Sequence, residues 1–167
     1  MEELDSKQDL AVLYARAKDH EKALEQLEQI RKFIPLDYQI QPGKGLKNFP
    51  DTDVIDAYYK LMGQVEMLAG AIVFDKAQAS PIPPKEMVEE AMEHYVLAVA
   101  YYSRYSNVSS NTYVMTIERI YKRLHDIKRD VISEIKQNDL PIWIKKYNIP
   151  AEWVTPLFND IFEMLGV

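Results

Sequence analysis

The sequence predicts an all-α fold: about six or seven helices stacked as antiparallel hairpins, finished by C-terminal capping helices. Three features point there. Apolar residues recur at i, i+3, i+4 and i+7 along most of the chain. No stretch alternates convincingly as a strand does. Glycine is scarce, five in 167 residues, too few for a nucleotide-binding architecture built on Gly-rich turns.

Leu10, Leu13, Tyr14 and Ala17 share one face of a first helix over Lys7–Lys18, and Ala23, Leu24, Leu27, Ile30 and Ile34 do so for a second over His20–Phe33. Only Lys18-Asp19-His20 links them, so the two helices must lie antiparallel. Pro35 ends the second, and Pro35–Asp51, with three prolines before Asp51 and two glycines, reads as a loop. Asp51 or Thr52 can cap a third helix running to Gln78, about 40 Å long. Its broad apolar stripe runs from Ile55 to Val73, and Gly63 and Gly70, two turns apart, leave room for another helix. Ser80-Pro81-Ile82-Pro83-Pro84 is a stiff linker to a fourth helix over Lys85–Tyr105, with Val88, Ala91, Met92, Tyr95, Ala98, Val99 and Tyr102 inward. After a polar turn at Asn107–Asn111, the narrow seam Ile117, Ile120, Leu124, Ile127 and Val131 predicts one long fifth helix over Thr112–Gln137. Asp139 is placed to cap a short helix over Pro141–Tyr147, and a last helix spans Pro150–Leu165 with a break at Thr155-Pro156.

Composition narrows the function. At 19.4 kDa the chain is one domain's worth, and 47% hydrophobic residues supply a core. A net charge of −6 argues against nucleic acid as a partner. The absence of cysteine excludes disulfides, thiolate metal sites and cysteine catalysis, and fits a reducing compartment. MEELDSKQDL is acidic and polar, unlike a signal peptide, and the most apolar run, Val65–Phe74, is interrupted by Glu66 and far short of the roughly 20 residues that span a bilayer. The expectation is a soluble, cytoplasmic protein with no membrane contact.

LAVLYARAKDHEKALEQLEQIRKFIP, Leu10–Pro35, resembles the tetratricopeptide repeat, a helix–turn–helix unit of about 34 residues. Leu10 and Ala11 stand where the repeat has a leucine followed by a small residue. Tyr14 stands at the helix-A aromatic, His20 at the turn position and Ala23 at the small position of helix B. Leu27 and Ile30 follow on the same face, and Pro35 stands at the terminating proline. The small side chains Ala11 and Ala23 let the two helices meet closely. Over 5–37 the pattern is in register. A degenerate second pair over 52–105 sets Leu68-Ala69 and Ile72 against Ala91, Tyr95 and Ala98, but needs about ten inserted residues and lacks the terminating proline. Over 110–167 the likeness fades into a long helix and a cap. The resemblance implies a single helical-repeat domain, since one repeat cannot bury its own face.

No constellation of side chains points to catalysis, a metal or a cofactor. Glu90 and His94 are at i, i+4, the spacing of an ordinary surface pair. Gly43-Lys44-Gly45 lacks the spacing, the hydroxyl residue and the strand of a phosphate loop. Pro81-Ile82-Pro83-Pro84 matches PxxP, as linkers commonly do, and Asn107-Val108-Ser109 is a sequon without a secretory context. Arg119, Lys122, Arg123, Lys128 and Arg129 make one helix locally basic; a solvated face is the ordinary reading and an acidic partner the functional one. The tyrosines of the third and fourth helices suit a crowded helix-pair core or an interface. The tail aromatics Trp143, Trp153, Phe158 and Phe162 suit a cap or a contact with a second copy.

These readings predict a non-enzymatic protein–protein interaction module or scaffold that binds a peptide or partner domain in a concave groove. Gln8, Val12 and Arg16 of the first helix and Lys60, Gln64 and Asp75 of the third are the candidate contacts. Gln8 and Val12 do not support a clamp for a peptide's terminal carboxylate. The alternative is a regulatory or sensor segment of a larger signalling ATPase or assembly, and a third class is an all-α enzyme or small-molecule binder.

Overall fold

A computed structural model describes residues 2–44, 53–104 and 110–167. It is all-helical, with no strand among the described residues: α1 (Glu2–Arg16), α2 (His20–Phe33), α3 (Asp53–Gln78), α4 (Lys85–Arg104), α5 (Ser110–Leu124), α6 (Arg129–Glu134), α7 (Leu140–Lys146) and α8 (Thr155–Leu165). The proposed cap at Asp51 or Thr52, Gly45, and most of the Asn107–Asn111 turn lie outside the described residues.

α1 and α2 form the antiparallel hairpin that their short link requires. Lys7 near the start of α1 donates to Gln29 near the end of α2 at 2.8 Å. Ala11 and Ala23 are both fully buried. Lys18 adopts φ +64°, its N–H donates to the Ala15 carbonyl, and the next N–H, of Asp19, donates to Tyr14. This pairing satisfies the last carbonyls of α1 and reverses the chain. Asp19 then accepts from the Lys22 N–H and caps α2. The same two-bond ending closes α7 at Asn148 and α8 at Gly166. Asn and Gly tolerate the left-handed conformation; Lys18 is the exception.

The centre is the antiparallel pair α3–α4. Gly63 and Gly70 mesh with Tyr102 and Tyr95, which are spaced by the same two turns on the facing helix. A Cβ at Gly63 would stand 2.5 Å from Tyr102, and one at Gly70 would stand 2.8 Å from Tyr95. The glycines therefore act as sockets for aromatic knobs. Tyr95 and Tyr101 are buried and Tyr102 half-buried, so these rings serve the core. The segment after α2 is pinned across this pair. Tyr38 stacks on Tyr58, the Ile40 N–H donates to the Tyr101 hydroxyl at 2.6 Å, and the Gly43 N–H donates to the Lys146 carbonyl at 2.7 Å.

The long fifth helix is corrected. α5 stops at Leu124, and a turn over 125–128 precedes α6. Ile127 is still buried, but it belongs to the turn. Asp139 caps nothing: it has helical dihedrals and makes no capping bond. Instead α6 runs into α7 through a π-helical turn over Ile135–Asp139, where the Leu140 N–H donates to the Ile135 carbonyl. Two facts account for the wide turn. Pro141 has no N–H to sustain the α-helical ladder. The buried residues Ile132, Ile135, Leu140, Trp143 and Tyr147 also contain one five-residue step, and a π turn absorbs the extra residue and keeps all five on one face.

The tail closes the far end. Phe158 and Phe162 are fully buried, and Trp143 and Leu165 nearly so. The Arg104 guanidinium lies 5.2 Å from the centre of the Trp153 ring. α8 packs on α5, where Tyr113 donates to Asp160 at 2.7 Å. α7 is tied to α4 by Glu93, which accepts from both Lys146 and Tyr147. No helix among the described residues is long and apolar enough to cross a membrane.

Candidate functional site

α1, α3 and α5 together line an open groove of about 720 Å³. Gln8 and Val12 of α1 form one wall. Gln64, Met67, Leu68 and Ala71 of α3 form the floor. Arg119, Lys122 and Arg123 of α5 form the opposite wall. Tyr95 and Tyr102 also line it: the glycine sockets let these α4 rings lie against α3 and reach the groove. An adjoining hollow of about 380 Å³ shares Val12, Leu68, Ala71 and Arg123 and adds Ala15, Arg16, Lys18, Ile72 and Asp75.

Each proposed contact residue can be placed. Gln8, Val12 and Gln64 line the main groove, and the Gln8 amide reaches the Gln64 carbonyl oxygen at 3.4 Å, bridging α1 and α3. Arg16 and Asp75 line the adjoining hollow. Lys60 is exposed one turn before Gln64 and does not line either cavity.

The far wall is where sequence reasoning stopped short. Arg119, Lys122 and Arg123 are visible in the sequence as a basic run, yet periodicity alone does not say that α5 turns them toward α1 and α3. Arg123 donates to Asp75 at 2.5 Å and to Gln78 at 3.3 Å, and so clips α5 to α3. Arg119 and Lys122 are exposed and form no ion pair among the described residues. Burial drives the Tyr95 phenol far above its ordinary pKa and pushes Tyr102 up to about 12. Both groove tyrosines are therefore neutral hydroxyls at physiological pH.

A second polar cluster lies in the interior where α2, α3 and α4 meet. Glu66 Oε1 accepts from Arg31 at 3.1 Å and Oε2 sits 2.6 Å from His94 Nδ1. Arg31 is held at 2.7 Å by Glu28 as well. Burial alone would raise the Glu66 pKa, but the His94 hydrogen bond and the Arg31 charge outweigh it, and the carboxyl ends below its ordinary range. His94 therefore pairs with Glu66, not with Glu90 as i, i+4 spacing predicts. The available clue was Glu66 itself, a lone carboxylate in the most apolar run of the chain. Both oxygens of Glu66 are engaged, one by Arg31 of α2 and one by His94 of α4, so the cluster fastens three helices. No group of side chains that could hold a metal ion occurs among the described residues.

Set beside known proteins, the chain matches no family, no curated protein and no solved structure.

Proposed function

We propose that this protein is a TPR-like helical interaction module that holds a segment of a partner protein in the α1–α3–α5 groove. The observation that carries the reading is convergence. Gln8, Val12 and Gln64, chosen from repeat-like helix faces, line one cavity, with Met67, Leu68 and Ala71 in its floor and Arg119 and Lys122 in the facing wall. Alternate helices of a hairpin stack present such a surface, while the intervening helices α2 and α4 back it. The lining supports binding more than chemistry, because among the described residues it holds cations, amides and hydroxyls but no carboxylate–histidine pair. Its volume is adequate for several side chains of a docked segment.

Site-specific photocrosslinking in the cell tests this. A photoreactive residue in place of Gln64 should yield a discrete protein adduct, while the same residue in place of exposed Lys32 on α2 should not. Matching adduct patterns at the two positions, or none at Gln64, contradict the proposal.

A further inference from the structure

The charge of the groove identifies the kind of segment it takes. The chain as a whole carries 20 Lys and Arg against 26 Asp and Glu. The groove and its adjoining hollow invert that balance: among the described residues, Arg16, Lys18, Arg119, Lys122 and Arg123 face a single carboxylate, Asp75. Asp75 is already held by Arg123. The other four cations have no ion-pair partner among the described residues, and they line the space around the apolar Leu68 and Ala71 of the floor, Arg119 and Lys122 from α5 and Arg16 and Lys18 from the end of α1. Concentrated positive charge on an acidic protein, around an apolar floor, is complementary to a segment that is acidic and carries a bulky apolar residue.

We infer that the groove's occupant is an acidic protein segment with an apolar anchor, its carboxylates meeting Arg119 and Lys122 on α5 and Arg16 and Lys18 at the end of α1. A free small anion fits less well, because the cations are divided between two spaces, Arg119 and Lys122 lining the groove and Arg16 and Lys18 the adjoining hollow. A nucleic acid also fits less well. The net charge of −6 repels a polyanion, and the apolar floor gives phosphates nothing to bond.

This inference rests on the docking reading, and fluorescence anisotropy separates the two. The probes are short labelled peptides sharing one leucine- and tyrosine-bearing face, with glutamate, glutamine or lysine elsewhere, and a single-stranded oligothymidine. The glutamate peptide should bind at least about 10-fold more tightly than the glutamine peptide at low salt, and that margin should shrink as salt is added. Reversing two exposed charges, Arg119→Glu with Lys122→Glu, should cost the glutamate peptide roughly 10-fold or more and admit the lysine peptide. Equal binding of the glutamate and glutamine peptides, unmoved by the charge reversal, overturns the acidic partner. If Ala71→Trp, or Val12→Trp should the first not fold, then blocks both peptides, the docking reading stands alone. If no peptide binds, or the blocking variants change nothing, both readings fail. Tighter binding of oligothymidine than of any peptide also overturns the inference, since the cations would then read phosphate.

Discussion

On one side of α3, Glu66 is buried, and Arg31 and His94 close over it from α2 and α4. On the other, Arg119 and Lys122 of α5 stand in solvent beside an open floor, with no carboxylate in ion-pair reach among the described residues. The buried carboxylate engages both of its oxygens within the chain, so changing it should be felt as stability. The outer cations have no such partner among the described residues, so changing them should be felt as binding. The two regions share a helix and lie about one helical turn apart along it (Glu66 against Leu68 and Ala71), which makes α3 both spine and floor.

The largest effect that would break this comparison belongs to the interior. Glu66→Ala leaves Arg31 and His94 facing each other without their shared anion and should cost about 3–5 kcal/mol, measured by urea unfolding. The pH dependence follows from the same group. Its folded-state pKa lies below the ordinary carboxyl value of 4.5. The contribution is therefore complete above that value and is lost as pH falls through it toward the folded-state pKa. A Glu66→Gln protein should have a flatter acid limb than the wild type; identical acid limbs would show that Glu66 contributes no linkage.

Gly70→Ala comes next. Its methyl would press on the Tyr95 ring from 2.8 Å, and overpacking of about 1–3 kcal/mol should outweigh the roughly 1 kcal/mol gained in helix propensity. Because that ring also lines the groove, the variant should weaken peptide binding as well as the fold, which distinguishes a socket from a mere spacer. At alkaline pH the sign reverses relative to Glu66. Tyr102, raised to about 12, contributes stability fully below pH 10, and this is lost as pH rises toward 12. Tyr102→Phe should therefore hold its stability further into the alkaline range than the wild type does. A smaller change of opposite sign is expected at the α1–α2 turn: Lys18→Gly relieves a left-handed lysine and should raise stability by about 1 kcal/mol in the same urea assay. Smallest of all, Arg119→Ala should leave unfolding within about 0.5 kcal/mol of wild type. A large loss there would mean that the outer wall is structural, and the contrast between the two faces would disappear.

Much of this architecture was legible in the residues. The second helix is legible at its observed bounds: the short Lys18-Asp19-His20 link places its start and Pro35 marks its end, while the Asp19 cap is seen only in the structure. The paired spacings of Gly63 with Gly70 and Tyr95 with Tyr102 were both visible, and the structure fits one pair into the other. The end of α5 was not legible. No proline or glycine lies between Leu124 and Arg129, and the apolar seam runs on through Ile127 and Val131, so local pattern favours continuation, whereas the fold turns at 125–128 and buries Ile132 and Ile135. The π turn hid for a related reason: Asp139 before Leu140-Pro141 has the chemistry of a helix start, and only the five-residue step in burial shows one continuous helix. For the groove, α1 and α3 were readable from helix faces. The α5 wall needed the fold, because a basic run on a helix carries no information about which way it faces.

The groove as the place where a partner docks is tested most directly by a backbone-amide NMR titration with the glutamate-bearing peptide. The account predicts that resonances of Val12, Gln64, Ala71, Arg119 and Lys122 move together to saturation, while those of Ala23, Glu66 and Trp143 stay in place. Saturable shifts centred on α2 or on α7 and α8, with the groove silent, would contradict it.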